Sequence, residues 1–188
     1  MGILSRQQLE KIGFKSVGEN VLLSDKASIY GANNISIGSN VRIDDFVVLS
    51  AGDGGIEIGN YIHIAVFSSL IGAGKITLKD FCNISSRVSV YSSSDDFSGL
   101  SMSNPMIPDD FKVVVHEDVI IERHVIIGSG SVILPGVTIA EGAVVGALSL
   151  ANQSCEKFVI YAGVPIKKIK DRKKDLLSTE VEFMLSNK

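Results

Sequence analysis

Three polar residues recur at a nearly constant spacing, and their types suit acid–base and polar-group chemistry. Arg42, His63 and Asn83 follow one another at intervals of 21 and 20 residues, and each stands between two apolar residues. Because side chains alternate between the two faces of a strand, apolar neighbours that point inward leave the polar residue pointing outward. The spacing therefore predicts an outward polar ladder with neighbours about 4.8 Å apart. Such a ladder is either a functional surface or a solvated strand face.

The elements that carry this ladder are indicated by an apolar residue at every sixth position. An α-helix cannot keep one face apolar at that period, whereas a coil of three short strands can, with six residues on each side. The pattern predicts an all-β solenoid over residues 15–172, with coils of about 20 residues. The strongest run is Ile121, Ile127, Ile133, Ile139 and Val145, followed four residues later in each case by Val125, Ser131, Val137, Ala143 and Ser149.

Three segments depart from the six-residue period. Residues 1–14 predict a short N-terminal helix with Ser5 as N-cap and Gly13 as its end, and residues 173–188 predict a C-terminal helix. Between them the period stops at residues 91–118, a polar stretch with two of the four prolines. A loop of that length in a compact fold is usually functional or disordered, and the sequence does not fix its path.

The composition bounds the class of function. The chain has 188 residues, a net charge of −3, 45% hydrophobic but only 6% aromatic residues, and no dense Lys/Arg stripe before its C-terminal end. A nucleic-acid partner is therefore not expected. Cys82 and Cys155 lie far apart and form no CxxC motif, so neither a disulfide framework nor a zinc knuckle is indicated. Without a signal-peptide pattern or a long apolar run, the sequence predicts a cytoplasmic protein that does not insert into membranes.

Two segments carry a resemblance to a known family. IGSGSVILPGVTIAEGAVVGALS at 127–149 and YAGVPIKKIKDR at 161–172 resemble the hexapeptide-repeat acyltransferases, and the similarity extends over 17–172. The resemblance implies a left-handed parallel β-helix of triangular section. It also implies a homotrimer, acetyl-CoA bound in the groove between adjacent subunits, and no metal.

The galactoside and maltose acetyltransferase branch of that family can be laid over residues 127–170 without a gap. The resemblance then implies that coenzyme A contacts small residues and, near its phosphates, lysines. A floor of small residues would let the pantetheine arm approach the backbone, and ammonium groups would pair with phosphates. The alternative is that the small residues only turn corners and the lysines are solvated. The implied residues are Ser129, Ala147, Asn152, Gln153, Lys167 and Lys170.

The chain departs from that branch at the catalytic base. The branch has a histidine just after the coil that here ends at Val90, whereas this chain has only serines and aspartates at 92–96. We predict His63 as the general base, because an ordinary imidazole pKa of about 6.5 suits proton uptake at neutral pH. His116, at the end of the loop, stays open as an alternative. His124 falls at a coil corner, where we expect a solvated side chain.

Other residues complete the predicted site. The Asn83 amide is a candidate for stabilising the oxyanion, and Arg42 is a candidate substrate-binding residue. Asp95 and Asp96 are predicted to orient the imidazole or to bind the acceptor's ammonium and hydroxyl groups, or else are two acids in an exposed turn. Cys82 should face inward, which disfavours a covalent acetyl-cysteine, since a buried thiol is inert.

The segments GNYIHI and YSSSDDFSG narrow the resemblance. They are similar to N-acetyltransferases of surface-polysaccharide biosynthesis that act on dTDP-4-amino-4,6-dideoxyglucose. This implies direct acetyl transfer from acetyl-CoA to the amine of a dTDP-amino-deoxy sugar, in lipopolysaccharide O-antigen biosynthesis. The alternatives are O-acetylation of a sugar hydroxyl, a zinc hydratase of the γ-carbonic anhydrase type that uses the three histidines, and a non-catalytic solenoid. The motifs leave the acceptor open.

Overall fold

The computed structural model describes residues 2–186, which form a parallel β-solenoid with a short helix at each end. Successive strands of each coil belong to three different sheets, which we call the first, second and third faces. Each face grows by adding the strand from the next coil in parallel register. This confirms the predicted fold class, and the arrangement is consistent with the left-handed β-helix that the resemblance implies.

The strands of each face are as follows. The first face consists of Ser16–Val17, Ile35–Ile37, Ile56–Ile58, Ile76–Leu78, Val119–Ile121 and Thr138–Ile139. The second consists of Val21–Leu23, Val41–Ile43, Ile62–Ile64, Asn83–Ile84, Ile126–Ile127, Val144–Val145, Val159–Ala162 and Lys167–Asp171. The third consists of Ser28–Tyr30, Val48–Ala51, Ser69–Gly72, Ser89–Tyr91, Val132–Ile133 and Leu150–Ala151. The last two strands of the second face form an antiparallel hairpin.

The residues of the six-residue period fill the interior. Ile121, Ile127, Ile133, Ile139 and Val145 are all fully buried. Parallel pairing places each above its counterpart in the next coil, as with Ile64 and Ile84 or Ile127 and Val145. The core is thus a stack of aliphatic side chains, which accounts for the low aromatic content of a chain with a high hydrophobic content.

The corners between faces carry stacks of their own. Between the first and second faces, the rings of Tyr61, Phe81 and His124 stack with centroids 5.1 and 5.0 Å apart. All three residues have a positive φ, between 55° and 63°, which is a costly conformation for a bulky residue. The repeated tight corner requires it, and the ring contacts help to offset the cost.

The interruption at 91–118 is an ordered arm at the corner between the third and first faces. Its root is an antiparallel ladder in which Ser93–Asp95 pairs with Val114–His116. A short 3-10 helix, Asp109–Phe111, lies further out. The segment therefore has regular structure, and disorder, one of the two expectations for it, is not what the structure shows.

Two α-helices close the ends. α1 spans Arg6–Ile12, with a Ser5 capping box and Gly13 in the left-handed conformation after it, as predicted. α2 spans Leu176–Ser186 and so begins three residues later than the predicted segment 173–188. Residue 1 of the predicted N-terminal segment and residues 187–188 of the C-terminal one lie outside the described residues. No helix within 2–186 is long and apolar enough to cross a membrane.

Candidate active site

The predicted polar ladder exists on the outer side of the second face. His63 pairs with Arg42 on one neighbouring strand and with Asn83 on the other. Their inward neighbours, such as Ile62, Ile64 and Ile84, are buried, so the three polar side chains project outward. The alternation of apolar and polar residues therefore predicted the direction of these side chains correctly. Their roles in catalysis or binding stay predictions.

Asp44 joins two members of the ladder, and the sequence analysis missed it. His63 Nε2 lies 2.8 Å from Asp44 Oδ2, and Arg42 Nε donates to Asp44 Oδ1 at 2.7 Å. The Asp44 side chain is only 7% exposed, against 41% for His63 and 53% for Arg42. Burial opposes ionisation of this carboxyl, yet hydrogen bonds from His63 and Arg42 outweigh it and lower the Asp44 pKa below its ordinary value of 3.8. The sequence pattern gave no signal for Asp44, because it follows the last residue of its strand, Ile43, where alternation no longer sets the direction of the side chain.

Two polar groups beside His63 remain available to a ligand. The Asn83 side chain is exposed, and its amide makes no hydrogen bond within residues 2–186. Ser85 continues the same strand, since its N–H donates to Ile127 O at 3.0 Å and its neighbour Ala65 donates to Ile84 O at 2.9 Å. Ser85 therefore lies diagonally across from His63, and it is a second residue that the sequence analysis missed.

The predicted coenzyme A residues begin one coil further along the same edge. Ser86 Oγ lies 3.3 Å from Ser129 Oγ, and Leu148 N donates to Ser129 O at 2.9 Å. Ser129 and Ala147 are exposed at equivalent corner positions. A Cβ on Gly128 would lie 2.4 Å from Ala147 N, so the coils approach closely here. These contacts give a shallow surface of small residues, as the resemblance implies.

The predicted phosphate-binding lysines lie on the last strand of the second face. Lys167 pairs with Ala162 and Lys170 with Ile160. Neither ammonium group forms an ion pair within residues 2–186, whereas Lys168 pairs with Asp171 at 3.0 Å and Glu156 at 3.7 Å. Those two acids, with Asp171 first, raise the pKa of Lys168. Lys167 and Lys170 are thus the cations left available to an anion.

Asn152 and Gln153 occupy a different corner. They follow the third-face strand Leu150–Ala151 and are exposed. Gln153 is tied to the C-terminal hairpin, because its Nε2 donates to Ile166 O at 3.1 Å. Within one chain these two residues therefore lie across the third face from Ser129 and Ala147.

The two loop acids differ from each other. Asp96 accepts hydrogen bonds from the backbone N–H groups of Ser98 and Ser101 at 2.8 and 2.9 Å, and hydrogen bonds from Ser98 and then Ser101 lower its pKa to about 2. The Asp95 carboxylate makes no hydrogen bond or ion pair with any other described residue. It lines a pocket of about 310 Å³ beside the third face, with Tyr91, Ser93, Phe97, Leu134 and Pro135 among its neighbours. Asp96 shapes the loop, and Asp95 is the free acid.

Within one chain, the structure does not bring the loop acids to His63. Asp95 lies against the third face, whereas His63 projects from the second. Within a single chain, the expectation that Asp95 or Asp96 orients the imidazole therefore does not hold. The acid in contact with His63 is Asp44 instead.

The other two histidines have separate partners. His116 Nδ1 lies 2.7 Å from Ser93 Oγ at the root of the arm. His124 contradicts the expectation of a solvated side chain: it is 10% exposed, stacks on Phe81 and lies 2.7 Å from Glu180 of α2. Helix α2 covers this corner, which the corner position alone could not show. Among the described residues, no group of three or more His, Cys, Asp and Glu side chains is arranged to hold a metal ion.

The Cys82 side chain faces the core, as the sequence analysis predicted. Cys82 is 2% exposed, and burial raises the pKa of its thiol to about 12. Such a thiol is a poor nucleophile. The expectation that Cys82 faces the core is confirmed.

These observations define a continuous surface that we call the seam, at the edge where the second face meets the third. From the strand of His63 to the strand of Lys167 and Lys170 there are five strand spacings, or about 24 Å. One end of the seam carries acid–base and polar groups, its middle carries small residues, and its far end carries unpaired cations. It consists of Arg42, Asp44, His63, Asn83, Ser85, Ser129, Ala147, Lys167 and Lys170.

Known proteins resemble the whole chain. The dTDP-4-amino-4,6-dideoxy-D-glucose acyltransferase of Escherichia coli is 56% identical over 183 residues, which cover 97% of this chain and 95% of that protein. The putative lipopolysaccharide biosynthesis O-acetyl transferase WbbJ of E. coli K12 is 32% identical over 79% of this chain and 74% of its own length. No family model matches the chain.

Solved structures agree with the sequence relatives. AntD, an N-acyltransferase from Bacillus cereus solved with dTDP and 3-hydroxybutyryl-CoA, superposes with a TM-score of 0.94 at 50% identity, covering 98% of this chain and 97% of AntD. A maltose O-acetyltransferase from Clostridium difficile, at 20% identity and a TM-score of 0.61, shares the fold. Because a 56% identical acyltransferase matches 97% of the chain and a 32% identical acetyltransferase matches 79% of it, the chain is an acyltransferase and belongs to the hexapeptide-repeat acyltransferase family.

Proposed function

We propose that this acyltransferase moves an acetyl group from acetyl-CoA to the amine of a dTDP-4-amino-4,6-dideoxy sugar. The observation that carries the proposal is the 56% identity, over 97% of the chain, to an acyltransferase named for dTDP-4-amino-4,6-dideoxy-D-glucose. A variant of AntD was solved with that nucleotide sugar and coenzyme A together, and it is 49% identical to this chain. A role in lipopolysaccharide O-antigen biosynthesis and a cytoplasmic location are part of the same proposal.

The seam offers what both substrates need. An acyl-CoA lying along it would place its phosphates by Lys167 and Lys170, its pantetheine arm on Ser129 and Ala147, and its thioester toward Ser85 and Asn83. The exposed terminal nitrogens of Arg42, beyond the Nε that holds Asp44, suit an anionic group such as a diphosphate.

The proposed reaction is direct transfer in a ternary complex. The neutral amine attacks the thioester carbonyl carbon, so that a C–N bond forms and the C–S bond breaks. His63 takes the proton that the nitrogen loses, and the departing thiolate of coenzyme A takes up a proton to give the thiol. The Asn83 amide would donate to the oxyanion of the tetrahedral intermediate.

We also propose that the active unit is a homotrimer with sites between subunits. On the arm at 91–118, Phe97, Leu100 and Met106 are 94%, 93% and 88% exposed. Large apolar side chains exposed together mark an interaction surface. A neighbouring copy would cover them and receive Asp95, which one chain keeps apart from its own His63.

The AntD structures support a role for a serine and an aspartate. They include variants changed at a serine and at an aspartate ten positions further along that chain. Serine–aspartate pairs with this spacing here are Ser85 with Asp95 and Ser86 with Asp96. The first pair is favoured, because both of its side chains are free of hydrogen bonds within 2–186, whereas Ser86 bonds to Ser129 and Asp96 to its own loop. Asp95 would then bind the acceptor's amine.

A second candidate is O-acetylation of a sugar hydroxyl, which the WbbJ relative favours by its name. Its lower identity and partial coverage make it the weaker proposal. The two differ in whether the product contains a new amide or a new ester, so alkaline hydroxylamine treatment of the product distinguishes them.

The deciding experiment is acyl transfer with the purified full chain. Acetyl-CoA and 3-hydroxybutyryl-CoA are each supplied with dTDP-4-amino-4,6-dideoxyglucose, with the UDP analogue, and with a simple glycoside, and thiol release and product mass are followed. We expect a stable N-acetyl product from the dTDP-amino sugar with acetyl-CoA. Efficient turnover only of a hydroxyl acceptor, or of none, would overturn the proposal, and a preference for the longer acyl group would correct the donor.

A further inference from the structure

We infer that Asp44 is a positioning residue that fixes the tautomer of His63, so that Nδ1 and not Nε2 is the nitrogen that accepts the substrate's proton. The inference rests on the proposed function, in which His63 is the general base. It assigns the reacting atom and a residue that nothing in the sequence pattern singled out. The main observation in its support is the contact of 2.8 Å between His63 Nε2 and Asp44 Oδ2.

Two further hydrogen bonds hold Asp44, one at its carboxylate and one at its backbone. Arg42 Nε donates to its other oxygen at 2.7 Å, and the Asp44 backbone N–H donates to Ile64 O at 3.0 Å on the strand that carries His63. A buried carboxylate without partners would be costly, and the charge-assisted hydrogen bonds offset that cost. Asp44 therefore stays in place and ionised at neutral pH.

An ionised carboxylate can only accept hydrogen bonds, so the neutral imidazole that faces it must carry its proton on Nε2. The lone pair is then on Nδ1, on the side of the ring away from Asp44. When Nδ1 takes a proton, the negative charge of Asp44 stabilises the imidazolium. The charged side chain that contacts the imidazole directly is Asp44, and Arg42 contacts Asp44 through its other carboxylate oxygen. The neighbour of His63 on the next strand is the uncharged Asn83.

The adjacent acid provides a matched control. Asp45 follows Asp44 in sequence but bonds to Ser24 and Lys26, the latter at 3.2 Å, and does not contact His63. A change at Asp45 removes one acid from the same turn while the imidazole contact is left intact.

The first test reads the tautomer without any substrate. The ¹⁵N chemical shifts of the imidazole nitrogens are recorded for the full chain at a pH where His63 is neutral, with His63→Gln used for assignment. We expect the Nε2–H form in the wild type and in Asp45→Asn, and loss of that preference in Asp44→Asn. A wild-type His63 in the Nδ1–H form would overturn the inference, even if no variant folded well.

The second test measures kcat/KM and its dependence on pH. Replacing Asp44 by Asn, whose amide can donate to Nε2 and so favour the opposite tautomer, should lower kcat/KM by about 10²-fold or more, the range that a positioned general base contributes. The acidic limb of its pH profile should move to lower pH, because the imidazolium loses its anionic partner. KM for the nucleotide sugar should change little, and Asp45→Asn should retain the wild-type profile.

The outcomes separate the two proposals. An Asp44→Asn enzyme with the wild-type rate and pH profile would overturn the positioning role in catalysis. If the wild-type chain transfers no acyl group to any acceptor, the proposed function fails, while the nitrogen shifts still decide whether Asp44 sets the tautomer.

Discussion

The buried charge of Asp44 also couples folding to pH. Its pKa is lowered in the folded state, so the stabilisation from its ionised form is complete above its ordinary pKa of 3.8 and is lost as the pH falls through the lower folded value. We expect Asp44→Asn to be destabilised at pH 7 and to approach the wild type as the pH falls below that ordinary value. Urea unfolding at a series of pH values measures this difference. The exposed Asp53→Asn is the control, and an Asp44→Asn difference that did not change with pH would contradict the expectation.

At the residue scale, alternation along a strand was sufficient to place side chains only while the strand lasted. Arg42, His63 and Asn83 were predicted to point outward because each stands between inward residues. Asp44 comes after its strand, where the chain turns and the side chain bends back toward the next coil. His124 sits at such a turn as well, and its burial depends on α2, which is distant in sequence. Local periodicity carries no information on either contact.

At the scale of elements, the six-residue period determines the strands because each coil must bury at least one apolar residue on each face. The same argument predicted where the period stops, and hence where the arm begins. The path of the arm could not be predicted, because a polar segment with free turns has no repeating partner to fix it. The start of α2 was misplaced by three residues because the N-cap signal was not used: Asp175, a residue type preferred at N-caps, stands directly before Leu176, where the helix begins.

Helix α2 is attached to the solenoid through Glu180 and through the Phe183 ring, which packs edge-on against Tyr61 and Phe81. None of the helix residues is fully buried, and the Glu180 carboxylate binds both His124 and Arg123. Replacing Glu180 by Ala should leave those two groups without their partner and destabilise the docked helix by about 1–2 kcal/mol. Faster hydrogen exchange at 176–186, with the solenoid coils unchanged, is the expected result.

Glu182 serves as the control for that measurement. It is an exposed acid on the same helix with no ion pair to the described residues, so Glu182→Ala should change the free energy by less than about 0.5 kcal/mol. Equal effects of the two substitutions would show that helix propensity, and not docking through Glu180, determines the exchange rate.

At the scale of the whole molecule, the solenoid separates the groups that the reaction would bring together. The stack of coils aligns His63, Ser129 and Lys167 along one edge, while the arm carries Asp95 from the opposite edge of the third face. A rigid prism cannot fold one face onto another. In the proposed function a second copy would therefore supply Asp95 to the site, in keeping with the homotrimer that the family resemblance implies.

Mixing two inactive variants tests this directly. His63→Ala lacks the proposed base, and Asp95→Ala lacks the proposed amine-binding acid, so each homo-oligomer should be nearly inactive. If a site takes His63 from one subunit and Asp95 from its neighbour, random mixing after co-expression restores one intact site in about four. We expect close to a quarter of the wild-type activity from the mixture, measured as thiol release. Activity no higher than that of the separate variants would place both residues in one subunit's site or outside it, because then no combination of subunits could repair the loss.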